Sequence, residues 1–176
     1  MLKKIIAHPY FSNSVRVFFP LVSLLAILVP MWTVTTMVND YPFNNSNFNV
    51  FEWHGFEMLF GFFYTIIMGF TLTAGAHWAK RKPISGAPLI LLLSLWLIDQ
   101  FIIIMSPPIW MLFVSSSALA LTFIFFLYIT LKSYPQKFKF LIIISLISTL
   151  KISYILIKLL NIIWLKSYIY DYTLLL

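Results

Sequence analysis

Two residues after Glu52, a short run places an imidazole, a carboxylate and a thioether close together. In the segment Trp53-His54-Gly55-Phe56-Glu57-Met58, Glu57 and Met58 follow His54 at i+3 and i+4, so a helix puts all three on roughly one face. Imidazole and thioether are donors suited to haem iron or copper, and a neighbouring carboxylate can orient the imidazole or accept protons. A histidine hydrogen-bonded for purely structural reasons fits the same spacing. His77 is 23 residues further on, about 35 Å along a helix, so the two imidazoles cannot share one metal. His8 could meet His77 but not His54. The chain has no cysteine, which excludes disulfides, thiolate ligands, iron–sulfur centres and cysteine nucleophiles. Met31, Met37, Met58, Met105 and Met111 gather towards one set of segment ends; soft thioethers suit Cu(I), and they equally fill gaps in an apolar bundle.

Beyond His54, Gly61, Thr65, Gly69 and Thr73 recur every four residues. Such a small-residue stripe lets another backbone approach closely, or leaves a groove for a flat macrocycle such as haem. The stripe alone does not separate the two.

The elements that carry these residues follow from hydropathy. With 61% hydrophobic and 10% charged residues among 176, the chain lacks the polar surface a soluble domain of this size needs. Long apolar runs at about 16–38, 53–77, 87–105, 109–131 and 139–163 each approach the ~20 residues that cross a bilayer as a helix. Barrel strands would be shorter and would alternate, whereas Ala87–Ile98 and Ala118–Ile129 are almost continuously apolar. The first run, with Pro20 and Pro30 and no small-residue cleavage site before Asp40, is expected to remain as a helix. The expected fold is all-α: a single polytopic membrane bundle of five helices.

The formal charge of +7 does not mark a nucleic-acid protein, because the cations sit in short segments between apolar runs. Lys3, Lys4 and Arg16 precede the first helix; Lys80, Arg81 and Lys82 follow the second; Lys132, Lys137 and Lys139 join the fourth to the fifth. By the positive-inside rule these segments, and the N-terminus, are cytoplasmic. The 39–52 segment, with Asp40, Glu52 and the turn-forming Tyr41-Pro42, and the turn Ser106-Pro107-Pro108 then lie outside, Lys166 being the one dissenting charge. Trp32, Trp53, Trp78, Trp110 and Trp164 fall near helix ends, where amphipathic rings favour the headgroup layer.

Four charges lie within apolar runs, where an ionisable group costs at least ~2.5–3.5 kcal/mol and needs a partner. Counted from the basic ends, Asp99 and Lys151 share one depth and Glu57 and Lys158 another. Lys151 and Lys158, seven apart, share a face. The expected pairs are therefore Asp99 with Lys151 and Glu57 with Lys158, the fifth helix facing the second and third. Lys158 reaching out to the headgroups, with Lys151 in a wet crevice, is the alternative. The fourth helix offers only Ser115-Ser116-Ser117 as polar content.

Three stretches together resemble the NnrS family, haem- and copper-containing multi-span bacterial membrane proteins associated with the response to nitric oxide. They are His8-Pro9-Tyr10 ahead of Phe18-Phe19; Trp53-His54 with Glu57-Met58-Leu59-Phe60-Gly61-Phe62, Gly69-Phe70 and Leu72-Thr73-Ala74; and Trp78, Arg81, Pro83, Gly86-Ala87-Pro88-Leu89 and Leu95-Trp96-Leu97. The chain departs from the family pattern at Phe56 in place of a second histidine, at His77 in place of asparagine, and at Gln100 beside Asp99 where arginine is usual. Relatives have about twice as many helices. The resemblance implies a shortened member in the bacterial inner membrane, with His54 as a haem or metal ligand supported by Glu57 and Met58, acting as an accessory and not as a catalyst. Two other classes stand beside it: a small transporter using the intramembrane charges, and an assembly subunit docking through the small-residue stripe on a second membrane subunit or another copy. No nucleophile elbow, HExxH or phosphate-binding glycine loop is present.

Overall fold

A computed structural model describes residues 8–39, 45, 47–105 and 108–173, with side chains as far as Ile162. Lys3, Lys4, Asp40, Tyr41-Pro42, Ser106-Pro107 and the side chains of Trp164 and Lys166 lie outside the described residues. Five helices are each long and apolar enough to cross a membrane: α1 (Ser14–Val38), α2 (Val50–Trp78), α3 (Ala87–Met105), α4 (Ile109–Leu131) and α5, whose apolar part runs Lys137–Ile162. The helix of α5 continues to Thr173. At 37 residues it would extend about 55 Å, well beyond a ~30 Å hydrocarbon layer. No strand occurs among the described residues.

Asparagine caps start the first two helices earlier than hydropathy alone places them. Asn13 accepts the Arg16 backbone N–H at 3.0 Å. Asn49 accepts the Glu52 N–H at 2.9 Å while Glu52 Oε2 accepts the Asn49 N–H at 3.1 Å, a reciprocal capping box. At its other end α2 stops at Lys80, which takes a left-handed φ of 52°, and the Arg81 N–H closes back on Ala76 O at 2.8 Å. A short 3-10 turn, Pro9–Ser12, is tied to the start of α3 by the Gly86 N–H on Phe11 O at 2.9 Å.

The helix α4 packs on α2, α3 and α5, and α1 lies along α2. The fifth helix, expected to face the second and third, rests mainly on α4 because a short turn folds the two into an antiparallel hairpin; it reaches α2 and α3 through long side chains. The core has two apolar parts. One, towards the basic loops, includes Phe18, Met68, Leu92, Trp96, Phe123 and Leu127. The other, towards the Asn45 loop, includes Val29, Phe48, Trp53, Phe56, Ile103 and Ile155. The outward surface is also apolar: Ile27, Met31, Phe101, Leu121 and Ile142 are each more than 60% exposed. A surface of that kind is solvated by lipid and not by water, which makes this a multi-pass membrane protein.

Candidate functional site

Between the two apolar parts runs a buried polar band to which four helices contribute. In α3, Asp99 and Gln100 sit between Trp96 and Ile103. In α4, Ser115 and Ser116 sit between Leu112 and Leu119, and in α5, Lys151 sits between Ile144 and Ile155. In α2, Glu57 and Gly61 precede Tyr64. All these polar side chains are buried.

Asp99 is the centre of the band and is fully satisfied. Its Oδ1 accepts from the hydroxyls of Ser115 and Ser116, both at 2.7 Å, and its Oδ2 accepts from Lys151 Nζ at 2.5 Å. The ammonium also lies 5.7 Å from the Phe56 ring and 5.9 Å from the Tyr64 ring, so aromatic faces take its remaining field. Tyr64 OH bonds Ser148 Oγ at 2.9 Å, joining α2 to α5 at the same level.

The second expected pair is different: Lys158 meets Glu52 at 2.6 Å, not Glu57. The lysine stem reaches outward past Phe48, whose ring lies 5.4 Å from Nζ, to a carboxylate that keeps 36% exposure. Both charges thereby remain partly hydrated. Counting Cα depth missed this because a lysine side chain spans much of the ~7.5 Å axial rise between Glu57 and Glu52.

Glu57 turns into the bundle. The seven residues Glu57–Phe63 form a π-helical turn, a rare local widening frequent at functional sites. Both carboxylate oxygens of Glu57 and Nε2 of Gln100 are buried without a hydrogen-bond partner among the described residues. Glu57 Oε2 occupies the spot a Cβ on residue 61 would take, so a side chain there would displace the carboxyl, while Gln100 Nε2 stands at ordinary contact distance, 3.5 Å. Lys151 and Asp99 are close enough to act on this carboxyl electrostatically.

His54 is half-buried near the Asn45 loop and turns towards α1, its Nδ1 3.0 Å from Thr33 Oγ1. The Thr33 hydroxyl already donates to Val29 O at 2.9 Å, so the shared hydrogen must come from Nδ1. With Nδ1 as the donor, the neutral ring carries its lone pair on Nε2, the nitrogen a metal would use. Met58 instead packs against the Phe48–Trp53 side of the core. His54, Glu57 and Met58, placed together by spacing, therefore point to three different neighbours. Among the described residues no three His, Cys, Asp or Glu side chains form a cation cage. Met31, Met37 and Met105 face outward and do not converge.

The small-residue stripe is filled by this chain itself. Ser14 Oγ donates to Gly69 O at 2.8 Å and shares a bond with Thr73 Oγ1 at 2.7 Å. Phe18 and Phe19 stand 3.2 and 3.3 Å from where a Gly69 Cβ would be. Thr65 donates to Gly61 O and accepts from Trp96 Nε1 at 2.7 Å. The stripe offers neither a slot for a macrocycle nor a free face for another subunit. As a cofactor site, the donors fit one axial or terminal ligand, His54, and not an enclosed pocket. Trp53 is likewise in the core at 7% exposure, unlike the lipid-facing Trp32 and Trp110.

Sequence reasoning noted Ser115, Ser116 and Gln100 without giving them a role in the site, and passed over Thr33. A count from the tight turn would have found the serines, since Asp99 and Ser115 each lie eight residues from Pro107. Thr33 carries no comparable signal.

Five apolar helices around a buried, lysine-paired aspartate define a polytopic α-helical membrane protein. The chain belongs to the NnrS family, described as NnrS protein, whose match covers residues 9–174. No curated protein and no solved structure matches it.

Proposed function

We propose that this member of the NnrS family is a non-catalytic accessory of haem or copper metabolism in the nitric oxide response of a bacterial inner membrane, with His54 as the ligand it supplies. The observation that supports this is the Thr33–His54 hydrogen bond through Nδ1, which directs Nε2 to the role of ligand. Outer partners that fix a ligating imidazole in this way are typical of metal sites. Haem or copper held there would supply a redox-active centre able to bind a diatomic gas. The chain's own contribution is to hold one imidazole in one tautomer beside the Asn45 loop, with the remaining ligands coming from another copy, another subunit or solvent. The charge pattern favours placing that loop outside and the basic loops in the cytoplasm.

A transport role finds less support. The Asp99–Lys151 pair is buried, with Lys151 on one oxygen of Asp99 and Ser115 and Ser116 on the other, which leaves little of either charge to carry a substrate.

The test is a titration of the purified, detergent-solubilised chain with Cu(I) and, separately, with haem. Saturable binding that falls at least about tenfold in His54→Ala is expected from the loss of a ligand or its support. Equal binding by both proteins would remove His54 from the role.

A further inference from the structure

The end of the bundle opposite the Asn45 loop collects cations without anions. Lys80, Arg81 and Lys82 lie in the α2–α3 loop and Lys132, Lys137 and Lys139 at the α4–α5 turn, and none of the five carboxylates, Asp40, Glu52, Glu57, Asp99 and Asp171, falls in either segment. The structure brings these two basic segments together, although about 50 residues separate them. Arg81 Nη1 donates to Ile129 O at 2.6 Å, fastening the first loop to the last turn of α4.

Three rings fill the seam. Trp78 lies 5.0 Å from Phe140 and 6.1 Å from Tyr134, and Tyr134 lies 6.0 Å from Phe140, centroid to centroid. Lys80, Lys82, Lys132 and Lys139 are exposed around that seam and make no ion pair among the described residues. Towards mid-membrane from these rings, Phe70 lies 6.0 Å from Trp78, centroid to centroid, and is about half exposed. Moving from the loops towards mid-membrane, the surface thus passes from ammonium groups through the Trp78, Tyr134 and Phe140 rings to the apolar surface at Phe70. This order matches phosphate, glycerol ester and acyl chain in a phospholipid. A soluble acidic protein or nucleic acid would use the ammonium groups alone, whereas a lipid also covers Phe70 below them.

We propose that the seam between the α2–α3 loop and the α4–α5 turn binds an anionic phospholipid, its phosphate against the Lys80/Lys82 and Lys132/Lys139 groups and its acyl chains along Trp78 and Phe70. The site is independent of His54.

Native mass spectrometry of the full chain, released from mixed micelles with equal phosphatidylglycerol and phosphatidylcholine, tests it. The anionic lipid should be retained in about tenfold excess, since each lysine near the headgroup plane adds to the attraction. The excess should collapse in K80Q/K82Q/K132Q/K139Q and persist in Lys158→Gln at the other end. It should also survive added inorganic phosphate. Should the quadruple variant fail to fold, the wild-type excess must still shrink as salt is raised, because exposed charges are screened. Equal retention of the two lipids, an excess indifferent to salt or to the lysines, or displacement by inorganic phosphate would overturn the proposal.

Discussion

Lys151 Nζ stands 2.5 Å from Asp99 Oδ2, with the two side chains 3% and 0% exposed. This ion pair closes the polar band across α3, α4 and α5, and its value depends on both members being present. Asp99→Asn or Lys151→Met alone should cost about 3–5 kcal/mol by stranding a buried charge, whereas Asp99→Leu with Lys151→Met should cost much less than the sum. Denaturation of detergent-purified variants in increasing sodium dodecyl sulfate checks this; additive losses would mean that the pair is not coupled. Lys158→Met, which loses a partly hydrated partner, should cost less than about 1 kcal/mol.

The two serine hydroxyls on Asp99 Oδ1 make α4 more than a spacer. Ser116→Ala should cost about 1–2 kcal/mol, within the range for hydrogen bonds to charged groups and between membrane helices. Ser115→Ala should cost less, because Ser115 divides its hydroxyl between Asp99 and Leu112 O. Both effects should vanish in an Asp99→Leu background. Losses that persist there would place the serines' role elsewhere.

Glu57 and Gln100 hold unpartnered buried atoms, which a stability-optimised bundle would not keep. Glu57→Gln removes a buried carboxyl and allows an amide–amide bond to Gln100. Unfolding measurements should show a gain of about 1–3 kcal/mol. A loss of stability would reveal that the carboxyl already has a partner.

Three glycines on α2 should respond differently to added side chains. Nothing lies within 4 Å of a Cβ built on Gly55, so Gly55→Ala should be neutral or add up to about 1 kcal/mol of helix propensity. Gly69 faces Phe18 and Phe19 at 3.2 and 3.3 Å, and Gly69→Leu should force α1 off α2 and abolish a folded, monodisperse peak in size-exclusion chromatography. Gly61→Ala should displace the Glu57 carboxyl. A well-behaved Gly69→Leu would contradict the close α1–α2 contact.

Helices were legible because the bilayer imposes length and apolarity on each crossing, and Pro107-Pro108 left no room for anything but a hairpin between α3 and α4. Asp99 and Lys151 could be matched by depth since both lie near mid-membrane, where neither side chain has water within reach. The same count failed for Lys158, whose stem carries the charge outward to Glu52. The grouping of His54, Glu57 and Met58 failed for another reason. The helix widens into a π turn at Glu57, and α1 presents Thr33 to His54, while the space left at Gly61 takes the Glu57 carboxyl. Spacing rules assume an undisturbed α-helix and know nothing of the neighbour opposite. The stripe Gly61, Thr65, Gly69 and Thr73 identified a close contact but not its occupant, which proved to be Ser14, Phe18, Phe19 and Trp96.

The most direct measurement of the His54 assignment is the absorption spectrum and metal content of the chain as purified from the membrane, compared among wild type, His54→Ala and Thr33→Val. The wild type should carry haem or copper, His54→Ala should lose it, and Thr33→Val should retain the cofactor more weakly, by about 10–100-fold in affinity, through loss of the hydrogen bond to Nδ1. A colourless, metal-free wild type, or a cofactor signal unchanged in His54→Ala, would contradict it.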